Sequence, residues 1–274
     1  MRLRRAAAVL AVLVVAMIPA WGQDLVAVAP KAAKVLYEDS RIRVVRLRIA
    51  PNESLPTHER PLRVIIPLTT SVVNSTRPDG RTGPARSNAG QAGWGEPAVR
   101  SLVNLADPVD NIIVELKQAG VPAKPLAHPP TPAPGDYLED RFHHWAFENQ
   151  YVRVYDVRIP PGETTDFHVY ALDSVTVGIT GGLVASQTQG QAWTKAERVE
   201  PGSVEVSADA SHPKTYRVRN ESAEEYHFVL VQLKNGQLKN GEVGGAQYEP
   251  ALVKTQPGVK SGILRALQDQ GAPV

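Results

Sequence analysis

The sequence predicts an all-β chain made of two copies of one small barrel or sandwich. The first observation is an internal repeat. "YEDSRIRVVRLRIAPNESLPTHERPLRVIIPLTT", from Tyr37, aligns without a gap at an offset of 110 with "FENQYVRVYDVRIPPGETTDFHVYALDSVTVGIT", from Phe147. Ten of the 34 positions are identical, including Arg43/Arg153, Glu53/Glu163, His58/His168, Leu62/Leu172 and Thr70/Thr180; chance gives about two. The match resumes at Gly90/Gly202 and Asn104/Asn220 and ends on "VELK" and "VQLK". The second observation is strand chemistry: short β-branched runs such as "IRVVRLRIA" bounded by turn residues. The third is that neither copy repeats its apolar residues at helical spacing.

The elements follow in order. "MRLRR", "AAAVLAVLVVAMIPA" and "AWGQ" form a basic, an apolar and a small-residue segment. They predict a secretory signal peptide over residues 1–22, cut near Gly22. The alternative is an uncleaved anchor, for which the apolar run is short. The first copy spans 35–117. Within it "APNES" is a turn, and "RPDGR" carries the Asp79-Gly80 hairpin signal. A proline-rich linker covers 118–144, stiff through "VPAKPLAHPPTPAPGDY"; its end, "LEDRFHHWAF", is a short helix or an added strand. The second copy spans 145–234, with "PPGET" as its turn. A polar tail covers 235–274, with one short helix in "SGILRALQDQ".

Composition narrows the function classes. The formal charge of the whole chain is +2. The signal carries Arg2, Arg4 and Arg5, so the mature chain stands at +2 less three, or −1. Nothing in that balance points to nucleic acid, or to a membrane once the signal is removed. There is no cysteine, which excludes disulfides, thiolate nucleophiles and thiolate metal sites. An exported chain without disulfides is expected in a periplasm or secreted.

The shared pattern "RV.R..I.P.E......H", an apolar strand, a glycine turn, then "…N" and "…V.LK" resembles the cupin superfamily; two copies in tandem resemble a bicupin. The resemblance covers roughly Val35–Lys117 and Trp145–Lys234. It implies two tandem cupin-type jelly-roll β-barrels (RmlC-like), each with a pocket in its mouth. It also implies a metal held by two histidines and a glutamate of one motif and a histidine of the next. Imidazole and carboxylate donors suit a divalent transition ion and leave positions open for substrate.

The ligand positions are mostly replaced. In copy one His58 keeps the first, Arg60 and Arg100 stand at two others, and Val64 lies near the glutamate. In copy two His168 keeps the first, Tyr170 and Tyr216 replace histidines, and Ser174 lies near the glutamate. No metal is therefore expected in either copy. The alternative is a divalent transition metal in copy two, from His168, His212 and Asp173. The residues instead suggest an anion at His58, Arg60 and Arg100, because guanidinium forks match planar anions. His168, Tyr170 and Tyr216, with His212 near them, suggest a sugar-like or polar aromatic ligand. The structural readings stand beside these: Arg60 and Arg100 pair with Glu59, Glu96 or Asp107, and the copy-two set is packed barrel interior. Among the remaining residues, His143 and His144 point oppositely along a strand, His128 is solvated, and His227 lies on a barrel surface. Glu53 and Glu163 pair with Arg43 or Arg153. The expectation is thus an exported bicupin of unassigned activity that binds a small molecule without metal or acts as a scaffold. A metal-dependent dioxygenase, lyase or isomerase is the alternative. A homodimer through barrel edges is a third reading.

Overall fold

The structure is a computed structural model that describes residues 23–117, 122–131 and 136–234. The signal peptide and the C-terminal tail predicted above lie outside the described residues.

Nine strands form the first half: β1 (Ala33–Glu38), β2 (Ile42–Ile49), β3 (Ser54–Arg60), β4 (Arg63–Pro67), β5 (Ser71–Thr76), β6 (Thr82–Ser87), β7 (Gly93–Gly95), β8 (Ala98–Asn104) and β9 (Val109–Leu116). Nine more form the second: β10 (His143–Glu148), β11 (Val152–Ile159), β12 (His168–Tyr170), β13 (Ser174–Gly178), β14 (Gly182–Thr188), β15 (Glu197–Val199), β16 (Val204–Ser207), β17 (Lys214–Asn220) and β18 (Tyr226–Leu233). Each half is two antiparallel sheets, β1-β2-β9-β4-β7 with β3-β8-β5-β6, and β10-β11-β18-β13-β16 with β12-β17-β14-β15. The two orders are the same under one-to-one replacement. They are two-sheet jelly rolls, within the sandwich or barrel class that the repeat implied. "LEDRFHHWAF" supplies both of the forms proposed for it, a 3-10 turn over Tyr137–Glu139 and the strand β10. A short helix, α1 (Leu25–Val28), capped by Asp24, precedes β1 and puts Leu25 into the first barrel's core.

Side-chain alternation explains the packing. Along β9, Val109 and Ile113 belong to the first barrel's own core, while Ile112, Val114 and Leu116 face the other way. Those outward residues join Val152, Val154, Val175, Val177, Val229 and Val231 in one cluster. The two five-stranded sheets thus pack back to back. That is why the middles of β9 and β18, Ile112–Val114 and Phe228–Val231, are apolar at every position instead of alternating: each has a core on both faces.

Matched residues brace this arrangement. Asn104 Nδ2 donates to the carbonyls of Ile49 and Asp107, and Asn220 Nδ2 to those of Ile159 and Glu224. Asn52 (φ 62°) and Gly162 (φ 75°) fill the same left-handed turn position. The gapless alignment, however, shifts by one residue after β12. Arg63 and Val64 lie opposite Glu115 and Val114, whereas Ser174 and Val175 lie opposite Gln232 and Val231. Thr69 Oγ1, not that of Thr70, is the equivalent of Thr180 Oγ1. Each donates to the carbonyl two residues before the strand partner whose amide it accepts from, Pro108 and Asp110 in one half, Glu225 and His227 in the other.

At the junction Gly90 (φ 76°) lies against the ring of His227, and Gly202 (φ 75°) against Arg46 and Leu68. His227 is therefore on its own barrel's surface but buried under the other half, where it bonds Asp156. Arg41 bridges to Asp173 across the halves, so Asp173 is engaged there and is not a residual metal donor. His128 and His144 are exposed, as expected. Glu53 and Glu163 do not take the predicted arginines. Glu53 accepts the Ala50 amide and Glu163 pairs with Arg141. Arg43 holds Asp24 and Glu115, and Arg153 holds Glu148.

Candidate functional site: two barrel interiors of opposite chemistry

His58 lies opposite Arg100 on β8, and His168 opposite Tyr216 on β17. The interiors then diverge.

In the second barrel, Asp140, His143 and His168 each offer a donor atom within 4.8 Å of the others, and all three are buried. Asp140 follows the 3-10 turn. His143 opens β10, where its inward position corresponds to Ala33 in the first half; the two pair with Val157 and Leu47 respectively. His168 opens β12. Asp140 Oδ2 accepts from the Asp166 amide and from His168 Nε2 (both 2.8 Å), and Oδ1 accepts from the Phe142 amide. His143 Nδ1 lies 3.6 Å from the same Oδ2, long for a hydrogen bond. Burial alone would raise the Asp140 pKa, but the two imidazoles and the Phe142 amide outweigh it and hold the carboxyl well below its usual range. Burial lowers the pKa of His143. Both nitrogens of His143 and Nδ1 of His168 are buried without a hydrogen-bond partner.

Of the residues that the sequence singled out as ligand-binding, only His168 is in this group. His212 is exposed, bonds Ser211 (2.9 Å) and stays outside it. Tyr170 and Tyr216 stack on one another at 3.6 Å between centroids, so each shields the other's face. Tyr137 stacks on His168 at 4.9 Å and meets Tyr170 edge-on. Tyr170 is buried and Tyr216 partly buried within this aromatic group. Asp140 and His143 carry no motif and were not expected here. The available signal was alternation: of the adjacent histidines only one can turn inward, and it does so across from β12.

Two further acids sit in this half. Glu205 lies opposite Thr176 on β13. Burial, then the charges of Asp209 and Glu197, push its pKa up to about 7. Asp209 is raised to about 6, mainly by burial.

In the first barrel, His58 is buried and bonds the Pro56 carbonyl through Nδ1 (2.8 Å). Burial, then the nearby Arg60 and Arg63 charges, lower its pKa. Arg100 reaches the Val99 carbonyl. The predicted carboxylate pairings are absent among the described residues: neither Arg60 nor Arg100 forms an ion pair with Glu59, Glu96 or Asp107. Arg63, which the sequence did not single out, lies flat on Gly95, where a Cβ would stand 2.6 Å from its Cζ.

No protein-family model matches the chain, and no curated protein matches it. Solved structures do resemble it. One is AerE from Microcystis aeruginosa, at 13% identity over 74% of this chain and 97% of that one, with a TM-score of 0.45. An oxalate decarboxylase–formate complex from Lactobacillus farciminis matches at 12% over 74% and 81%, TM-score 0.46. A cupin domain from Bordetella pertussis Tohama I matches at 26% over 34% and 91%, TM-score 0.30. By its own strand order and its duplicated register, the chain is two jelly-roll barrels in tandem.

Proposed function

We propose that the second barrel holds a divalent transition metal through Asp140, His143 and His168, and that the chain is a metal-dependent small-molecule enzyme. The observation that carries this reading is the trio of unpartnered buried imidazole nitrogens beside an ionised carboxylate. An unsatisfied buried polar group costs about 1–3 kcal/mol, and a metal ion would take up one nitrogen of each ring. Two imidazoles and one carboxylate suit Fe, Mn, Ni or Zn. Such an ion, when bound, supplies Lewis-acid or redox chemistry. The chain's own residues would orient it: Tyr137 fixes the His168 ring by stacking, and the Phe142 and Asp166 amides fix the Asp140 carboxylate. Export to a periplasm or to the medium is part of the same proposal. The test is elemental analysis of the mature chain purified without chelator. About one metal per chain, lost in His143→Ala and in His168→Ala, is expected. A chain that takes up no Mn, Fe, Co, Ni or Zn on reconstitution refutes it.

One observation favours a second, metal-free reading. Asp140 already accepts three hydrogen bonds, which suits a structural knot. In that case His143→Ala lowers stability equally with and without added metal.

A further inference from the structure

The first barrel carries a different ligand chemistry. We propose that it binds a small oxyanion, a carboxylate or a phosphate, between Arg60, Arg63 and Arg100, a site independent of the metal reading. Charge balance is the first argument. Arg43, Arg60, Arg63 and Arg100 share this end of the barrel with three acids, Asp24, Glu96 and Glu115. Arg43 is held by Asp24 and Glu115 together. Four cations less three anions leave one positive charge without a counterion on the protein, and the two acids on Arg43 leave Arg60, Arg63 and Arg100 with Glu96 alone.

Satisfaction is the second argument. Arg63 is 6% exposed; Nη1 donates to the Pro61 and Glu96 carbonyls, and Nε is buried with no acceptor. Arg60 has no hydrogen-bond or ion-pair partner among the described residues. Glu96 is already committed, accepting from Trp94 Nε1 and the Ala123 amide. Burial, then the Arg60 charge, push the Arg63 pKa down to about 9. A guanidinium does not surrender its proton readily, so an anion is the available relief.

The sister barrel supplies the third argument. Arg60, Arg63 and Arg100 correspond to Tyr170, Ser174 and Tyr216. The jelly roll forms there with no cation at any of the three positions, so the fold does not require them. Arg60 and Arg100 are half-buried and Arg63 lies beneath, an order that admits an anion from the mouth. Forked donors on three sides suit carboxylate or phosphate oxygens.

The test uses the whole mature chain, titrated with malonate and with inorganic phosphate against chloride of equal ionic strength. Calorimetry and thermal shift are read on the parent, Arg60→Gln, Arg100→Gln and His168→Ala. Saturable binding of malonate or phosphate is expected, weakened about tenfold or more by either arginine change and kept in His168→Ala. Binding of malonate alone assigns a dicarboxylate, of phosphate alone a phosphate-type ligand, and of both the shared oxyanion chemistry. Without added anion, Arg60→Gln should melt no lower than the parent, because it removes repulsion; an arginine of structural purpose would do the opposite. The proposal is overturned if neither anion exceeds chloride, or if both arginine variants bind as tightly as the parent.

Discussion

The junction between the barrels can be tested at one glycine. Gly90 has φ 76°, and a Cβ built there would overlap Cε1 of His227. Gly80 has φ 82°, and a Cβ built there meets nothing within 4 Å. Alanine at either position incurs the left-handed backbone penalty, about 1–2 kcal/mol. Only Gly90→Ala adds overpacking in a buried junction, about 1–3 kcal/mol more. The expected losses are therefore about 1–2 kcal/mol for Gly80→Ala and about 2–5 kcal/mol for Gly90→Ala, read from urea unfolding of the mature chain. In a His227→Ala background the excess should vanish, which closes a double-mutant cycle. Because the two five-stranded sheets share one apolar cluster, unfolding should be a single transition. Equal losses at Gly80 and Gly90, or two separate transitions, would refute the back-to-back packing argued above.

Two predictions join those already attached to the metal and anion sites. Glu205 has a folded pKa raised to about 7 against about 4.3 unfolded; its protonated form thus stabilises the fold below pH 4 and that contribution is lost as pH rises through 7. Glu205→Gln should consequently match the parent near pH 4.5 and exceed it near pH 8. The gap should open by at most about 1.4 kcal/mol per pH unit, and pH-resolved denaturation showing a flat difference would count against a buried Glu205. Asn104→Ala and Asn220→Ala each strip one hydrogen bond from a buried carbonyl at the end of a barrel strand, Ile49 or Ile159, and another from a turn carbonyl, Asp107 or Glu224. Each should lose about 1–3 kcal/mol, and similar losses in both are expected because the two asparagines do the same work; urea midpoints check this.

How much was legible follows from what kind of signal each feature leaves. A duplication writes itself twice, so the two copies, their turns and Asn104/Asn220 were readable from spacing, while Arg100 and Tyr216 were placed near His58 and His168 by the family resemblance. A one-residue insertion between β12 and β13 leaves no such trace. Chance identities, Leu62/Leu172 and Thr70/Thr180, bridged the true shift. Asp140 and His143 precede the repeated segment and have no identical counterpart, so comparing the copies could not flag them. The metal alternative sought donors within the inherited motif and therefore reached for His212 and Asp173. The first lies on the surface and the second is tied to Arg41 across the junction. The apolar middles of β9 and β18 and the existence of two barrels were both legible, but the back-to-back packing that covers the second face of each strand was not.

The two halves show where a jelly roll permits change. Residues that satisfy backbone groups persist: Asn104 and Asn220, Thr69 and Thr180, the left-handed turns at Asn52 and Gly162. Each is fixed by carbonyls or amides that exist whatever the side chains inside the barrel are. Interior positions at one end carry no such obligation, and there every matched pair named here except His58 and His168 differs: Ala33 and His143, Arg60 and Tyr170, Arg63 and Ser174, Arg100 and Tyr216, Glu115 and Gln232. Even the shared histidine changes its work, Nδ1 of His58 to the Pro56 carbonyl and Nε2 of His168 to Asp140. A neutral imidazole beside three guanidiniums cannot compete for a metal against their repulsion. The same ring beside an ionised Asp140 and a second imidazole is held in a donor environment. The chemistry of each half is thus decided by which side chains the barrel's free end carries, and retention of the first motif histidine says nothing about it.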